Sequence, residues 1–125
     1  PAQSYIKAQK LRTIVRNDIL EALNKVDVLV LPTSPGPAPK IPEKAGIVSQ
    51  EDAQSRISGV RNFTGAFNLA GLPALSLPCG FTSENLPLSI QLAGRPMEED
   101  LLLRLGHTYQ QTTNWHLRRP PEPVS

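Results

Sequence analysis

The chain has 125 residues, a formal net charge of +2, 39% hydrophobic residues and 13 prolines. That length suffices for one domain that buries roughly two thirds of its unfolded surface. Lys and Arg are dispersed, with Arg118-Arg119 the one adjacent pair, so the clustered basic face that nucleic acid requires is not expected.

No apolar run approaches the ~20 residues of a membrane span, so no membrane partner is expected either. Cys79 is the single cysteine, which leaves no disulfide framework and no thiolate metal site, and it reads as a small buried hydrophobe. No charged-then-apolar leader opens the sequence, and a cytoplasmic protein is the expectation. The start at Pro1, without methionine, fits a fragment and equally fits methionine removal before proline. The prolines are about double average usage and cluster at 32–42 and 120–123, where they mark loops.

Residues 5–25 predict a helix. Ala8, Leu11, Val15, Ile19 and Ala22 fall on one face, with Ile14 and Leu23 beside it. Val28-Leu-Val-Leu31 is apolar at every position, the pattern of a strand buried on both faces, and Pro32 ends it. Residues 32–49 form a Pro-rich connection longer than the ~12–15 residues usual in a compact domain, which suggests a binding loop or a mobile one.

Ser49, Glu51 and Asp52 open a second helix, with acids in its first turn and an inward stripe of Ala53, Ile57, Val60, Thr64 and Phe67. Gly59 and Gly65 inside it would cost roughly 1 kcal/mol each relative to Ala, which makes sense where another backbone comes close. Gly71 supplies a left-handed helix end and Pro73 forbids continuation.

Two strands follow, 74–81 and 87–94, joined by a hairpin-like segment. Leu75 and Leu77 alternate with Ala74 and Ser76, while Leu88, Ile90 and Leu92 oppose Ser89, Gln91 and Ala93. Glu98, Glu99 and Asp100 lead into a third helix over Leu101–Tyr109, and 112–125 is a tail in which Trp115 anchors to the body. The fold class is therefore α/β: a partial, mixed sheet of about three strands flanked by helices. The first two strands would pair in parallel through a right-handed crossover, and the third antiparallel to the second. Such a sheet leaves exposed edges that soluble proteins normally cover, and it looks incomplete.

Hydrolysis by a side-chain nucleophile needs that nucleophile, an adjacent base and an oxyanion hole, and the residues for these are missing. Ser58-Gly59 lies inside a helix and no Gly-x-Ser-x-Gly elbow exists. His107 sits in the third helix and His116 in the tail, neither with a serine or cysteine partner in view, and packing or surface roles account for both. Asp27, Thr33, Ser34 and Lys40 cluster near the end of the first strand, where α/β folds place their sites. Lys40 there is more simply a solvated loop lysine. No phosphate-cradling glycine loop and no metal-ligand spacing occur, so no cofactor is expected.

From about Tyr5 to Pro121 the chain resembles the C-terminal part of amidase-signature hydrolases. The matching pieces are Tyr5…Ala8…Arg12, Asp27-Val-Leu-Val-Leu-Pro-Thr33, Phe63-Thr-Gly-Ala-Phe-Asn68 running into Gly71-Leu-Pro73, and Leu75-Ser-Leu-Pro-Cys-Gly80. Leu86-Pro-Leu-Ser-Ile-Gln-Leu-Ala-Gly-Arg95, the acidic start of the last helix and Trp115-His116 complete the series. Each piece is weak alone, and their order and spacing make the resemblance specific.

The resemblance implies hydrolysis of a carboxamide by a Ser–cis-Ser–Lys triad supplied from an N-terminal region. Residues 1–125 would be the C-terminal part of that amidase domain, catalytically inert alone, with no catalytic residue to carry over. It would contribute strands and one wall of the acyl pocket, with Pro32, Thr33, Arg61 and Thr64 as substrate-binding candidates; plain turn and helix-surface roles for these four stand beside that reading. The A subunits of tRNA-dependent amidotransferases tend to carry aspartate where Arg61 stands, suited to a glutamine ammonium that arginine would repel. That departure favours an amidase acting on a small amide with an acidic or neutral acyl group over an amidotransferase component. The implied partners are the absent N-terminal catalytic region and the amide substrate, with a homodimer through a sheet edge or apolar face as a further option. The competing class is a stand-alone, non-catalytic interaction module.

Overall fold

The computed structural model describes residues 2–40, 46, 49–51 and 63–120. Helix α1 spans Ala2–Leu23, strand β1 Leu29–Pro32, helix α2 Gly65–Ala70, strand β2 Ala74–Phe81, strand β3 Pro87–Ala93 and helix α3 Glu99–Thr112, followed by a 3-10 turn at Trp115–Leu117. The three strands form one sheet in the order β1-β3-β2, with helices on both faces. The expected α/β class and strand number stand.

The pairing differs from the sequence expectation. β3 lies between β1 and β2 and pairs antiparallel with both, so β1 and β2 run the same way without touching as neighbours. The crossover reading predicts their relative direction correctly. Hairpin closure then delivers β3 into the gap, so the described sheet is wholly antiparallel rather than mixed.

Side-chain alternation on β3 divides the core into two layers. Leu92 and Ile90 pack with Leu75, Leu77, Leu102 and Tyr109 against α3. Ala93 faces the other way and packs with Leu23, Phe67, Ala70, Leu72, Leu29 and Leu31 under α1 and α2. Gly106 of α3 lies directly over β2, where an added Cβ would sit 2.7 Å from Leu75 Cδ2.

β1 is an edge strand, and only alternate residues of its apolar run are covered. Leu29 and Leu31 join the core while Val30 is 60% exposed. The expectation of burial on both faces is not met here, because α3 packs on the Val30 face but does not reach over the Val30 side chain at the sheet edge. α1 likewise packs only through its C-terminal half. Leu11 of the expected inward stripe is 61% exposed, as are Tyr5, Ile6 and Ile14 to similar degrees, whereas Ile19, Leu20 and Leu23 enter the core.

Ile57, Val60 and most of the expected second helix lie outside the described residues. The chain turns at Phe63-Thr64 before α2 begins at Gly65, so Gly65 opens a short helix instead of interrupting a long one. α2 ends as the sequence predicts. Gly71 adopts φ 66°, its N–H reaches Asn68 O and the Leu72 N–H reaches Phe67 O, a Schellman closure with Leu72 and Phe67 in one cluster. Arg12 donates to Leu69 O at 2.7 Å and Arg16 to Ala70 O, so two cations from α1 satisfy carbonyls at the negative end of α2.

β2 is the other edge strand, which is why it tolerates Pro78, and its register shifts between Pro78 and Gly80. The hairpin is closed by Thr82, whose Oγ1 accepts the N–H groups of Glu84 and Leu86. Arg95, just after β3, joins three segments. It donates to Leu23 O at 2.9 Å and Val26 O at 3.2 Å and pairs with Glu98 at 3.2 Å and Asp27 at 3.5 Å. The tail is anchored as expected: the Trp115 ring lies 6.2 Å from that of Phe81.

Candidate functional site

The carboxyl end of β1 is the place the strand pattern nominates. Pro32 is the last residue of the strand, opposite Ile90 of β3. The ladder continues one step further, since the Thr33 N–H donates to Ser89 O at 3.0 Å. Thr33 Oγ1 lies 3.1 Å from Ser76 Oγ of β2. Ser34 Oγ donates to Gly36 O at 2.6 Å and holds the following turn, and residues 35–40 continue without regular structure.

Gln91 organises this end of the sheet. Its side chain is 2% exposed in the middle of the central strand, and its amide nitrogen donates to Phe63 O at 3.0 Å, with Pro32 O at 3.5 Å. A buried amide is costly unless hydrogen-bonded, and these carbonyls supply its acceptors. One side chain therefore ties Pro32 and Thr33 to the turn that carries Thr64 into α2. Three of the four expected substrate-binding residues are held by this arrangement, and Arg61 lies outside the described residues.

On the same face of the sheet as Ser76 runs a mainly apolar cleft of about 370 Å³ between α1, β1 and α2, lined by Ile19, Leu29, Leu31, Phe63 and Phe67, with the Asp18 carboxylate also at its wall. A polar strip together with a mainly apolar trough is suited to orienting a ligand that has one polar group and an apolar body. It is not suited to bond cleavage alone. No hydrogen bond to Thr33, Ser34 or Ser76 among the described residues comes from a lysine, a histidine or a carboxylate. His107 is exposed on α3, while His116 Nδ1 is buried with no hydrogen-bond partner. Among the described residues no three His, Cys, Asp or Glu side chains are grouped to hold a metal ion, and no helix is long and apolar enough to cross a membrane.

Gln91 and Arg95 were not singled out by sequence reasoning. For Gln91 the signal was available: a lone amide in the alternating pattern of Leu88–Ala93, on the face opposite Ile90 and Leu92, must find partners if that face is covered. For Arg95 no local pattern marks a residue whose acceptors lie near the end of α1.

Comparison with known proteins identifies what this architecture belongs to. The A subunit of the glutamyl-tRNA(Gln) amidotransferase of a Picosynechococcus species is 47% identical over 116 residues, which is 93% of this chain and 23% of that protein. The crystal structure of the corresponding A subunit of glutamyl-tRNA(Gln) amidotransferase from Thermotoga maritima superposes with TM-score 0.70 at 33% identity, covering 88% of this chain and 23% of that one. A 6-aminohexanoate cyclic dimer hydrolase superposes with TM-score 0.64 at 36% identity, covering 75% of this chain and 21% of that one. The chain thus spans about a quarter of the length of the relatives it matches. With the family model described as Amidase matching residues 1–103, the chain belongs to the amidase family.

Proposed function

We propose that the protein hydrolyses the C–N bond of a small carboxamide, releasing a carboxylate and ammonia or an amine. The family membership supports the reaction class, and the relatives are about four times the length of this chain. In this reading a Ser–cis-Ser–Lys triad and its oxyanion donors come from a region N-terminal to residues 1–125, and this chain is inert without it. The cytoplasm is its compartment, residues 32–49 are a loop of the domain and 112–125 its tail.

The observation that carries the chain's own role is the hydroxyl strip of Thr33 and Ser76, with the mainly apolar cleft on the Ser76 face of the sheet, tied by Gln91 to the segment bearing Thr64. In this reading Pro32, Thr33 and Thr64 belong to one wall of the acyl pocket, and Arg61 is the further substrate-binding candidate. Polar groups there orient the carbonyl side of the substrate, and the trough accepts its apolar body.

A second reading follows from the identity to the A subunits of amidotransferases, which reaches 47%. It makes glutamine the amide and a separate polypeptide the site where its ammonia is used. The two readings separate on Arg61, whose cation repels a glutamine ammonium at close range. The test is ammonia release by the longest reading frame containing this chain, over a panel of aliphatic and aromatic amides with glutamine included. Turnover of neutral or acidic amides, with glutamine gaining only after Arg61→Asp, supports the amidase. Glutamine as the preferred substrate of the unaltered protein supports the amidotransferase reading. No ammonia from any amide would sink both and leave a non-catalytic interaction module.

A further inference from the structure

At the hairpin end of the sheet the tail packs against β2 and, with Pro87 of β3, forms a partly open pocket of about 510 Å³. Its walls are apolar and partly aromatic: Phe81, Pro87, Trp115 and Pro120, with Arg118 and Arg119 at the rim. This size lies within the range of about 300–1,000 Å³ that small-molecule pockets occupy. Its charge is one-sided, since no described Asp or Glu lines it.

Arg118 is preset. Its guanidinium carbon lies 4.0 Å from the centroid of the Phe81 ring, and Nη2 donates to Asn85 Oδ1 at 2.7 Å. Stacking and one neutral acceptor fix the fork, and neither Arg118 nor Arg119 pairs with a carboxylate among the described residues. The cavity wall also includes His116, whose Nδ1 is buried with no hydrogen-bond partner among the described residues.

We propose that this cavity binds a small carboxylic acid with an aromatic body. The carboxylate pairs with the Arg118 and Arg119 guanidinium groups, and the ring seats against Trp115 and Phe81. A bare inorganic anion would leave the apolar walls unused, and a neutral aromatic would leave both arginines unpaired. The chemistry of the walls therefore favours the combination. This binding site stands apart from the amide-hydrolysis reading, because its readout is binding and not turnover.

Phenylacetate titrated calorimetrically into the longest reading frame that contains this chain should bind saturably. Phenylethanol, its neutral counterpart, should bind at least roughly ten-fold more weakly, the loss of one charge-assisted pair. Inorganic phosphate should not displace phenylacetate at equal concentration. Arg118→Gln should weaken phenylacetate at least as much as removing its charge does. Arg119→Gln leaves the Arg118–Phe81 stack untouched and should weaken it about three- to ten-fold. Equal affinity for phenylacetate and phenylethanol, displacement by phosphate, an unsaturable response, or unchanged binding by Arg119→Gln would each overturn the proposal.

Discussion

Gly106 sets how closely α3 approaches the sheet, and replacing it with alanine puts two effects of opposite sign in competition. Alanine in a helix interior is worth about 1 kcal/mol more than glycine. Against that, the new Cβ would lie 2.7 Å from Leu75 Cδ2 and 3.4 and 3.5 Å from the two δ-carbons of Leu77. Carbon atoms rest at about 3.5–4.0 Å, so Leu77 is in ordinary contact and Leu75 must give way by roughly 1 Å. Leu75 has somewhere to go, a shallow cleft of about 270 Å³ shared with Leu103, His107 and Gln110. Moving it forfeits packing against Leu92 and forces a poorer rotamer, and overpacking of this kind costs about 1–3 kcal/mol. The expected net effect of Gly106→Ala is a loss of about 0–2 kcal/mol. The decisive comparison is a double-mutant cycle with Leu75→Ala, followed by urea unfolding and far-UV circular dichroism. Once Leu75 is truncated the clash is gone, and Gly106→Ala should then stabilise by about 1 kcal/mol, a coupling of about 1–3 kcal/mol. If Gly106→Ala stabilises equally in both backgrounds, the close approach of helix and sheet is not what requires glycine at this position.

Four further outcomes follow from the same geometry. Gly71→Ala places a Cβ on a residue at φ 66° and should cost about 1–2 kcal/mol in urea unfolding, with Gly71→Asn costing less. Gln91→Leu leaves Phe63 O without its donor and should cost about 1–3 kcal/mol, and Gln91→Glu more, since a carboxylate would face carbonyl oxygens. Arg95→Lys keeps the charge but cannot reach two carbonyls and two carboxylates at once, and a thermal melt should show a loss of about 1–3 kcal/mol. Val30→Lys, on the exposed side of edge strand β1, should shift the isolated chain towards monomer in sedimentation velocity; an unchanged distribution would remove that edge as a dimer contact.

What the sequence discloses and what it withholds divide along a physical line. Local signals are legible because they depend on a few neighbouring residues. Gly71 before Pro73 marks a left-handed helix end, the acids at Glu99 and Asp100 mark the start of α3, and alternation from Leu88 to Ala93 assigns each side chain to a face. Adjacency within the sheet depends on the whole set of strands. A strand–helix–strand unit specifies that β1 and β2 run the same way, but not whether another strand comes between them. A hairpin partner that follows β2 can lie on either side of it. Here the inner side is taken, because β3 carries apolar residues on one face and small or satisfied residues on the other and so tolerates burial from both directions.

The same distinction explains why the candidate site was only partly readable. Pro32 and Thr33 follow from a general rule about strand ends, whereas the grouping of Thr33 with Ser76 and of Pro32 with Phe63 is a product of the β1-β3-β2 order. With β3 in the middle, Gln91 stands between the two edge strands and ties the end of β1 to the entry of α2. Had β1 paired with β2 directly, Gln91 would sit on an outer strand, and a buried amide there would lack these carbonyls. Strand order therefore determines which polar residue is buried, and that residue ties Pro32 and Thr33 to the turn bearing Thr64.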